Sequence, residues 1–193
     1  MTAICRAIFV VVLIVSPLLA MQQAEAGRVW PVFGANGDVG ATPQCGPGKV
    51  LVGFSGRAGL WIDQIGIVCA DLQSNNMPGR HLPVSEFFGG DGGGPTSGSC
   101  PPNTRISDAQ IYVTADFKKV HSIVLDCIDA NGKITETGFG SRSNDAASSH
   151  TGASGIKRQL CPQEQFTGIT VRYGKHVNGV GFICNAVNPA GRR

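Results

Sequence analysis

The stretch KVLVGFSGRAGLWIDQIGIVC, residues 49–69, contains two apolar runs rich in β-branched residues on either side of a turn punctuated by glycines. In the second run, apolar residues recur at every other position before the closing cysteine. Alternation with a period of two is typical of a half-buried β-strand. The stretch therefore predicts a β-hairpin that carries Trp61 and Asp63 beside its turn.

The first 26 residues have the pattern of a secretory signal peptide. Arg6 precedes an unbroken apolar run at residues 7–15, and the segment ends in Ala24-Glu25-Ala26. A charged start, a short apolar centre and an A-x-A end are typical of such peptides, and the run is too short to span a bilayer. We expect cleavage after Ala26 and a secreted chain, extracellular or periplasmic, in which residues 27–193 form one domain without a membrane span.

The charges of the chain are few and scattered. The sequence has 16 basic and 13 acidic residues, a net charge of +3, and adjacent basic residues occur only at 118–119, 157–158 and 192–193. Nucleic-acid-binding proteins concentrate basic residues in a stripe or patch, so we expect no nucleic-acid partner. The histidines have no metal-ligand spacing and no C-x-x-C pair is present, so we expect neither a metal nor a cofactor.

Six cysteines follow the predicted signal peptide. Their successive separations of 24, 31, 27, 34 and 23 residues alternate between shorter and longer values. An even number of cysteines in an exported chain predicts three disulfides. The six are Cys45, Cys69, Cys100, Cys127, Cys161 and Cys184.

The same rhythm indicates three internal repeats. A Gly- or Ser-rich stretch precedes the first cysteine of each pair, and a strand-like run (IDQIGIVC, VHSIVLDC or VNGVGFIC) ends at the second. The repeats cover approximately residues 28–70, 85–128 and 138–185. Because we find no helical periodicity after the signal peptide, the sequence predicts an all-β fold of three similar sheets.

Within each repeat, the two cysteines bracket a predicted hairpin whose strand ends lie close enough to be bridged. This arrangement favours the pairs Cys45–Cys69, Cys100–Cys127 and Cys161–Cys184 among the 15 pairings that six cysteines allow. Each bridge would close a loop of about 25 residues, which stabilises a fold by roughly 3 kcal/mol in the chain-entropy estimate.

The hairpin resembles the closing hairpin of the jacalin-related lectins, which commonly run G-K-(I/V)-x-G-F-x-G-x-x-G-x-x-(L/I)-D-x-I-G; the match falls on residues 48–66. FFGGDGGG, residues 87–94, resembles the P-W-G-G-x-G-G opening of mannose-type members, and VFGANG, residues 32–37, is similar to another Gly-rich segment of the family. The resemblance implies the β-prism I fold, three four-stranded Greek-key sheets about a pseudo-threefold axis. The vitelline membrane outer layer proteins share this fold, with three repeats and disulfides.

The resemblance also implies a sugar site. Members of the family bind sugar through a G-x-x-x-D loop and a Gly-rich loop, and the first of these corresponds to Gly59-Leu60-Trp61-Ile62-Asp63. A carboxylate accepts hydrogen bonds from vicinal sugar hydroxyls, an aromatic ring covers the apolar face of a hexose, and glycines let backbone N–H groups approach. The candidate sugar-binding residues are Gly59, Leu60, Trp61, Asp63, Gly89, Gly90, Asp91 and Gly92.

Structural alternatives exist for two of these residues. Trp61 is compatible with a core or sheet-rim aromatic, and Asp63 with a residue that caps the turn through backbone amides. In the other repeats the position of Asp63 is occupied by His121 and Asn178. Since Gly174 precedes Asn178 at the family's spacing, we predict one intact site, one degraded second site at Gly174 and Asn178, and no site in the second repeat.

The order of the segments departs from that of the usual lectin, in which the Gly-rich opening lies at the N-terminus and the hairpin at the C-terminus. Here GGDGGG follows the first hairpin in sequence, which implies a cyclically shifted arrangement.

The leading functional hypothesis is a secreted lectin-like protein that binds a glycan without catalysis. The main alternative is a structural or interaction protein that has the same prism, binds a protein partner and lacks a sugar site. A glycan-acting enzyme is a third possibility, and it would need two carboxylates at a suitable separation. The sequence does not specify the sugar or the oligomeric state.

Overall fold

The computed structural model describes residues 27–141 and 153–188. The signal peptide predicted for residues 1–26 lies outside these ranges. The described part of the chain contains no helix, and none of its segments forms a helix that could cross a membrane. Its strands are β1 (Phe33–Gly34), β2 (Val39–Ala41), β3 (Lys49–Ala58), β4 (Ile62–Leu72), β5 (Pro78–His81), β6 (Phe88–Gly89), β7 (Gly94–Ser99), β8 (Arg105–Thr114), β9 (Val120–Ile128), β10 (Ile134–Gly140), β11 (Ala153–Gln159), β12 (Gln165–Tyr173) and β13 (Val177–Asn185).

The strands form three antiparallel sheets, each centred on one long hairpin. The first sheet has the order β5-β4-β3-β7, with β6 also paired to β4, and the second has the order β10-β9-β8-β11. The third sheet has the order β1-β13-β12-β2, so that strands from the start of the described chain complete the last hairpin. The predicted all-β architecture of three sheets is confirmed.

The main apolar core lies between the three sheets, and a smaller apolar cluster is formed by Val50, Val52, Val68, Ala70 and Leu72 of the first sheet. The apolar residues that alternate along the second strand of each hairpin are all buried in the main core, as the sequence pattern predicts. At its centre the ring of Phe54, from the first sheet, lies 5.7 Å from that of Phe139, from the second, and 6.0 Å from that of Phe182, from the third. The three sheets therefore enclose one core. The alternating residues are Ile65, Ile67, Ile123, Leu125, Val180 and Phe182.

Three disulfides close the bases of the three hairpins. They join Cys45 to Cys69, Cys100 to Cys127 and Cys161 to Cys184, each with a Cα–Cα distance of 5.5 Å. The predicted pairing is confirmed. Because each bridge joins the two ends of one hairpin, it holds that hairpin's strands together at the end opposite to the turn.

A Phe-Gly dipeptide next to each hairpin repeats the threefold pattern. It lies at residues 33–34, 88–89 and 139–140, and the glycine has a φ of +116°, +119° and +121° respectively. A side chain at any of the three would meet a backbone carbonyl oxygen of the neighbouring strand within 2.7 Å. Glycine is therefore required twice over, by the backbone angle and by the close approach. The carbonyls belong to Asn178, Asp63 and His121.

The residue after each of these glycines donates its backbone N–H to the same carbonyl oxygen. The N···O distance is 2.9 Å from Gly90 to Asp63, 2.9 Å from Ala35 to Asn178 and 3.1 Å from Ser141 to His121. The prediction that positions 63, 121 and 178 are equivalent is thus confirmed. The predicted cyclic shift is also observed, because GGDGGG pairs with the hairpin that precedes it and VFGANG with the last hairpin.

Candidate functional site

The tip of the first hairpin, residues 59–61, is a tight turn between β3 and β4. The Gly59 N–H donates to the carbonyl oxygen of Trp61 at 2.9 Å, which turns the chain within three residues. Leu60 is left 73% exposed at the extreme of the turn, while Trp61 is half-buried. Asp63 follows as the second residue of β4, and only 4% of it is exposed.

The Gly-rich loop, residues 89–94, lies directly against Asp63. At its start Gly89 pairs with β4, and the Gly90 N–H donates to the Asp63 carbonyl oxygen. Farther along, a Cβ atom on Gly92 would lie 2.5 Å from Asp63 Oδ1, and one on Gly93 would lie 2.5 Å from Asp63 Oδ2. The loop backbone can pack against the carboxylate only because these residues have no side chains.

Arg57 holds the Gly-rich loop in place. Its Nε donates to the carbonyl oxygens of Asp91 and Gly92 at 3.1 and 2.9 Å, and its Nη2 donates to that of Gly93 at 2.7 Å. A guanidinium suits this task because its donors are fixed in one plane. The carbonyls of the loop are thereby turned towards Arg57. No sequence pattern marks Arg57 as a functional residue, apart from its place in the first hairpin, two residues before Gly59.

His176, from the tip of the third hairpin (residues 174–176), contacts the carboxylate. Its Nδ1 lies 3.0 Å from Asp63 Oδ1, and Trp61 Nε1 lies 3.0 Å from the same nitrogen. One ring nitrogen cannot donate to a carboxylate and accept from an indole at the same time. When Nδ1 carries a proton it donates to Asp63, and the Trp61 N–H is then released from His176. When it does not, it accepts from Trp61.

A residue of the second hairpin tip, residues 115–119, completes the cluster. Lys119 Nζ lies 3.4 Å from the centroid of the Trp61 ring, a cation–π contact that covers one face of the indole. The His176 ring approaches the indole edge-to-face, with centroids 5.2 Å apart. The three hairpin tips therefore meet at one end of the molecule, which we call the apex.

The apex contains a carboxylate whose two oxygens differ in their surroundings. Asp63 Oδ1 contacts His176, whereas no donor to Oδ2 is found among the described residues. Burial of a carboxylate is costly unless hydrogen bonds compensate for the water that it loses. The predicted alternative in which Asp63 caps its own turn does not match these contacts, since its side-chain partner is a histidine from another sheet.

Comparison with solved structures shows the same architecture in plant lectins. Malaysian banana lectin superposes with a TM-score of 0.55 at 16% sequence identity, covering 83% of this chain and 99% of the lectin. A mannose-binding jacalin-related lectin from Ananas comosus gives 0.54 at 13% identity, covering 83% and 98%, and artocarpin in complex with mannopentose gives 0.54 at 10%, covering 82% and 97%.

The chain has the β-prism fold of the jacalin-related lectins. No protein-family profile and no curated protein sequence matches the chain, so the likeness is one of fold, as the low identities imply. The expected fold, three sheets from a threefold pattern with disulfides, is confirmed.

Most of the residues predicted to bind sugar lie together at the apex of the prism. Gly59, Trp61, Asp63, Gly89, Gly90 and Gly92 are connected by the contacts described above. Leu60 and the side chain of Asp91 are exposed at the rim. Two further apical residues, His176 and Lys119, come from the other two hairpins, and no local pattern in the sequence marks them.

The predicted second site lies on the third sheet of the prism. A Cβ atom on Gly174 would lie 2.7 Å from Asp38 Oδ2, and one on Gly37 would lie 2.8 Å from Asn178 Oδ1. The Asn178 amide donates to the Lys118 carbonyl oxygen at 2.9 Å. The side chain that replaces the aspartate here is therefore engaged in joining the third hairpin to the second.

Proposed function

We propose that this chain is a secreted, non-catalytic carbohydrate-binding protein whose sugar site is the turn from Gly59 to Asp63 with the Gly-rich loop. The observation that carries the proposal is the state of the Asp63 carboxylate. Its Oδ1 lies 3.0 Å from His176 Nδ1, the nitrogen that also faces the Trp61 indole, and its Oδ2 has no donor among the described residues. A sugar hydroxyl would supply the missing donor in a charge-assisted hydrogen bond.

The surroundings of Asp63 support the same proposal. Gly92 and Gly93 bring backbone to the carboxylate with no side chain between them, which is the approach that a small polar ligand needs. Trp61 offers a half-buried aromatic ring at the hairpin tip, with its indole N–H directed at His176 Nδ1. Sugar sites combine these elements, namely a carboxylate, backbone polar groups and an aromatic surface.

The fold and the cysteines are consistent with this role outside the cell. Two lectins with the same fold are described as mannose-binding or as a complex with mannopentose. All six cysteines of the described chain are paired in disulfides, which persist in oxidising compartments.

The first test is a glycan array probed with the oxidised chain 27–193 and with its Asp63→Asn variant. We expect selective binding by the parent and at least a tenfold loss in the variant, because an amide keeps the shape of the carboxylate but not its charge. Asp71→Asn is the matched control, since Asp71 is an exposed residue at the other end of β4. Thermal melts establish that all three proteins are folded. Binding that survives in Asp63→Asn would refute the proposed site.

A further inference from the structure

The Lys119 ammonium is an unneutralised charge inside the proposed sugar site. Its Nζ contacts the Trp61 ring at 3.4 Å, and no carboxylate lies within 4.0 Å of it among the described residues. The same residues provide no hydrogen-bond acceptor to Lys119 Nζ. An ammonium has three N–H donors, so the contact with the indole leaves most of its bonding capacity unused.

Neighbouring residues at the apex do not cancel this charge. The carboxylate of Asp63 lies against His176, and that of Asp116 accepts from the Thr114 hydroxyl at 2.6 Å and from the Lys118 N–H at 3.1 Å, so neither is directed at the Lys119 ammonium. Lys175 is an exposed residue whose carbonyl oxygen lies close to the Gly-rich loop at Gly90, so it adds a second cation near the half-buried Lys119. Two nearby acidic side chains, those of Asp91 on the Gly-rich loop and of Asp38 beside Gly174, are exposed, and among the described residues neither has a cation within 4.0 Å.

The apex therefore presents two kinds of charge to one ligand. The negative charge of Asp63 is buried and suited to hydroxyl groups, whereas the positive charges of Lys119 and Lys175 lie nearer to solvent. Asp63 contacts His176, His176 contacts Trp61, and Trp61 contacts Lys119. The buried carboxylate and the ammonium therefore lie within the span of a short saccharide. A neutral sugar would leave the ammonium unpaired.

We propose that the glycan bound at the apex is acidic, and that Lys119 pairs with its carboxylate or sulfate group while Asp63 and the Gly-rich loop hold its hydroxyls. This inference rests on the proposed sugar site and adds its substrate class. Uronates and sulfated sugars both present an anion beside free hydroxyls, and an ammonium binds either as a point charge.

The test compares acidic glycans with neutral counterparts of the same backbone. On an array of neutral, uronate-bearing and sulfated glycans, we expect the tightest ligands to be acidic. A uronate-bearing ligand should bind at least tenfold more tightly than its methyl ester, and a sulfated ligand at least tenfold more tightly than its desulfated form. Comparing the two pairs shows whether the bound anion is a carboxylate or a sulfate. Equal or tighter binding of the neutral forms would overturn the inference. Failure to bind any glycan would refute both the inference and the proposed function.

Variants separate the role of Lys119, which binds the anion, from that of Asp63, which binds the hydroxyls. Lys119→Gln should weaken binding of the acidic ligand about tenfold and reduce its dependence on salt, with little effect on the neutral counterpart. Lys119→Arg should retain binding because it keeps the positive charge. The control is Lys133→Gln, which removes one positive charge from the turn at the opposite end of the second sheet. Equal losses for acidic and neutral ligands in Lys119→Gln would mean that Lys119 only supports Trp61. Asp63→Asn should weaken binding of both the acidic and the neutral ligand. If it weakens neither, the proposed sugar site is wrong whatever Lys119→Gln shows.

Discussion

The Asp63 carboxylate depends on the packing of two hairpin tips rather than on its own turn. The histidine that contacts this carboxylate lies 113 residues farther along the chain, in a different sheet. No local pattern encodes a contact of that kind, because it follows from the packing of hairpin tips rather than from periodicity. His176 and Lys119 could therefore not be predicted, whereas Asp63 could.

Asp108 is a second buried carboxylate, and its surroundings are less favourable. It lies on β8 beside Asp126 of β9, its Oδ2 accepts from Arg158, and its buried Oδ1 has no hydrogen-bond partner among the described residues. Burial raises the pKa of Asp108, although the hydrogen bond and charge of Arg158 act to lower it. A carboxyl group whose pKa is raised on folding favours the folded state while it is protonated, and that contribution is lost as the pH rises through the folded pKa.

Asp108→Asn should consequently stabilise the protein at pH 7. We expect a gain of about 1 kcal/mol, because the variant removes a buried, partly unsatisfied charge. The advantage should shrink as the pH falls, since the parent carboxyl then becomes protonated as well. Thermal unfolding of both proteins at pH 7, 5 and 3 measures the difference. A variant that is less stable than the parent at pH 7 would show that the pair with Arg158 is a net source of stability.

At the level of elements, alternation and cysteine spacing predicted the hairpins and their disulfides. Both signals are local, and a bridge between the ends of one hairpin needs no knowledge of the other sheets. The Phe-Gly dipeptides at 33–34, 88–89 and 139–140 were visible in the sequence but were not recognised as a threefold feature. Glycine is required there by a positive φ and by a close approach to a neighbouring carbonyl, and both become apparent only once the strands are paired.

The Gly-rich loop leads to a prediction about the shape of the site. A methyl group at Gly92 would lie 2.5 Å from Asp63 Oδ1, so Gly92→Ala must displace either the loop or the carboxylate. Gly92 is exposed and its φ does not require glycine, so the fold should be retained. We expect at least tenfold weaker binding of the glycan selected on the array, measured by calorimetric titration.

Gly94→Ala is the matched control for this experiment, because a Cβ atom there meets nothing within 4 Å. Its affinity should stay within about twofold of the parent, as expected for a surface substitution that makes no new contact. Similar affinities for Gly92→Ala and Gly94→Ala would contradict a ligand site between the loop and Asp63.

In the whole molecule, one core unites three sheets that come from distant parts of the chain. The first hairpin resembles the closing hairpin of the jacalin-related lectins. This resemblance and the regular cysteine spacing were enough to predict the prism. The N-terminal strands β1 and β2 complete the third sheet, which agrees with the cyclic shift that the segment order implied. The sequence did not show that the three tips would converge, and so it did not show that the candidate site includes residues from every hairpin.

The measurement that tests the proposed site most directly is a ¹⁵N–¹H NMR titration of the labelled chain with the glycan selected on the array. The protein has two tryptophans, and their indole N–H groups report on two separate regions. Trp61 lies at the apex, whereas the Trp30 indole donates to the Leu160 carbonyl oxygen at 2.9 Å. Trp61→Phe assigns the two signals.

We predict that the glycan shifts the Trp61 indole signal and the backbone amide signals of Gly92 and Gly93, while the Trp30 indole signal stays in place. Shifts confined to Trp30 or to the outer faces of the sheets, with the Trp61 and loop signals unmoved, would place the ligand elsewhere and contradict a sugar site at the apex.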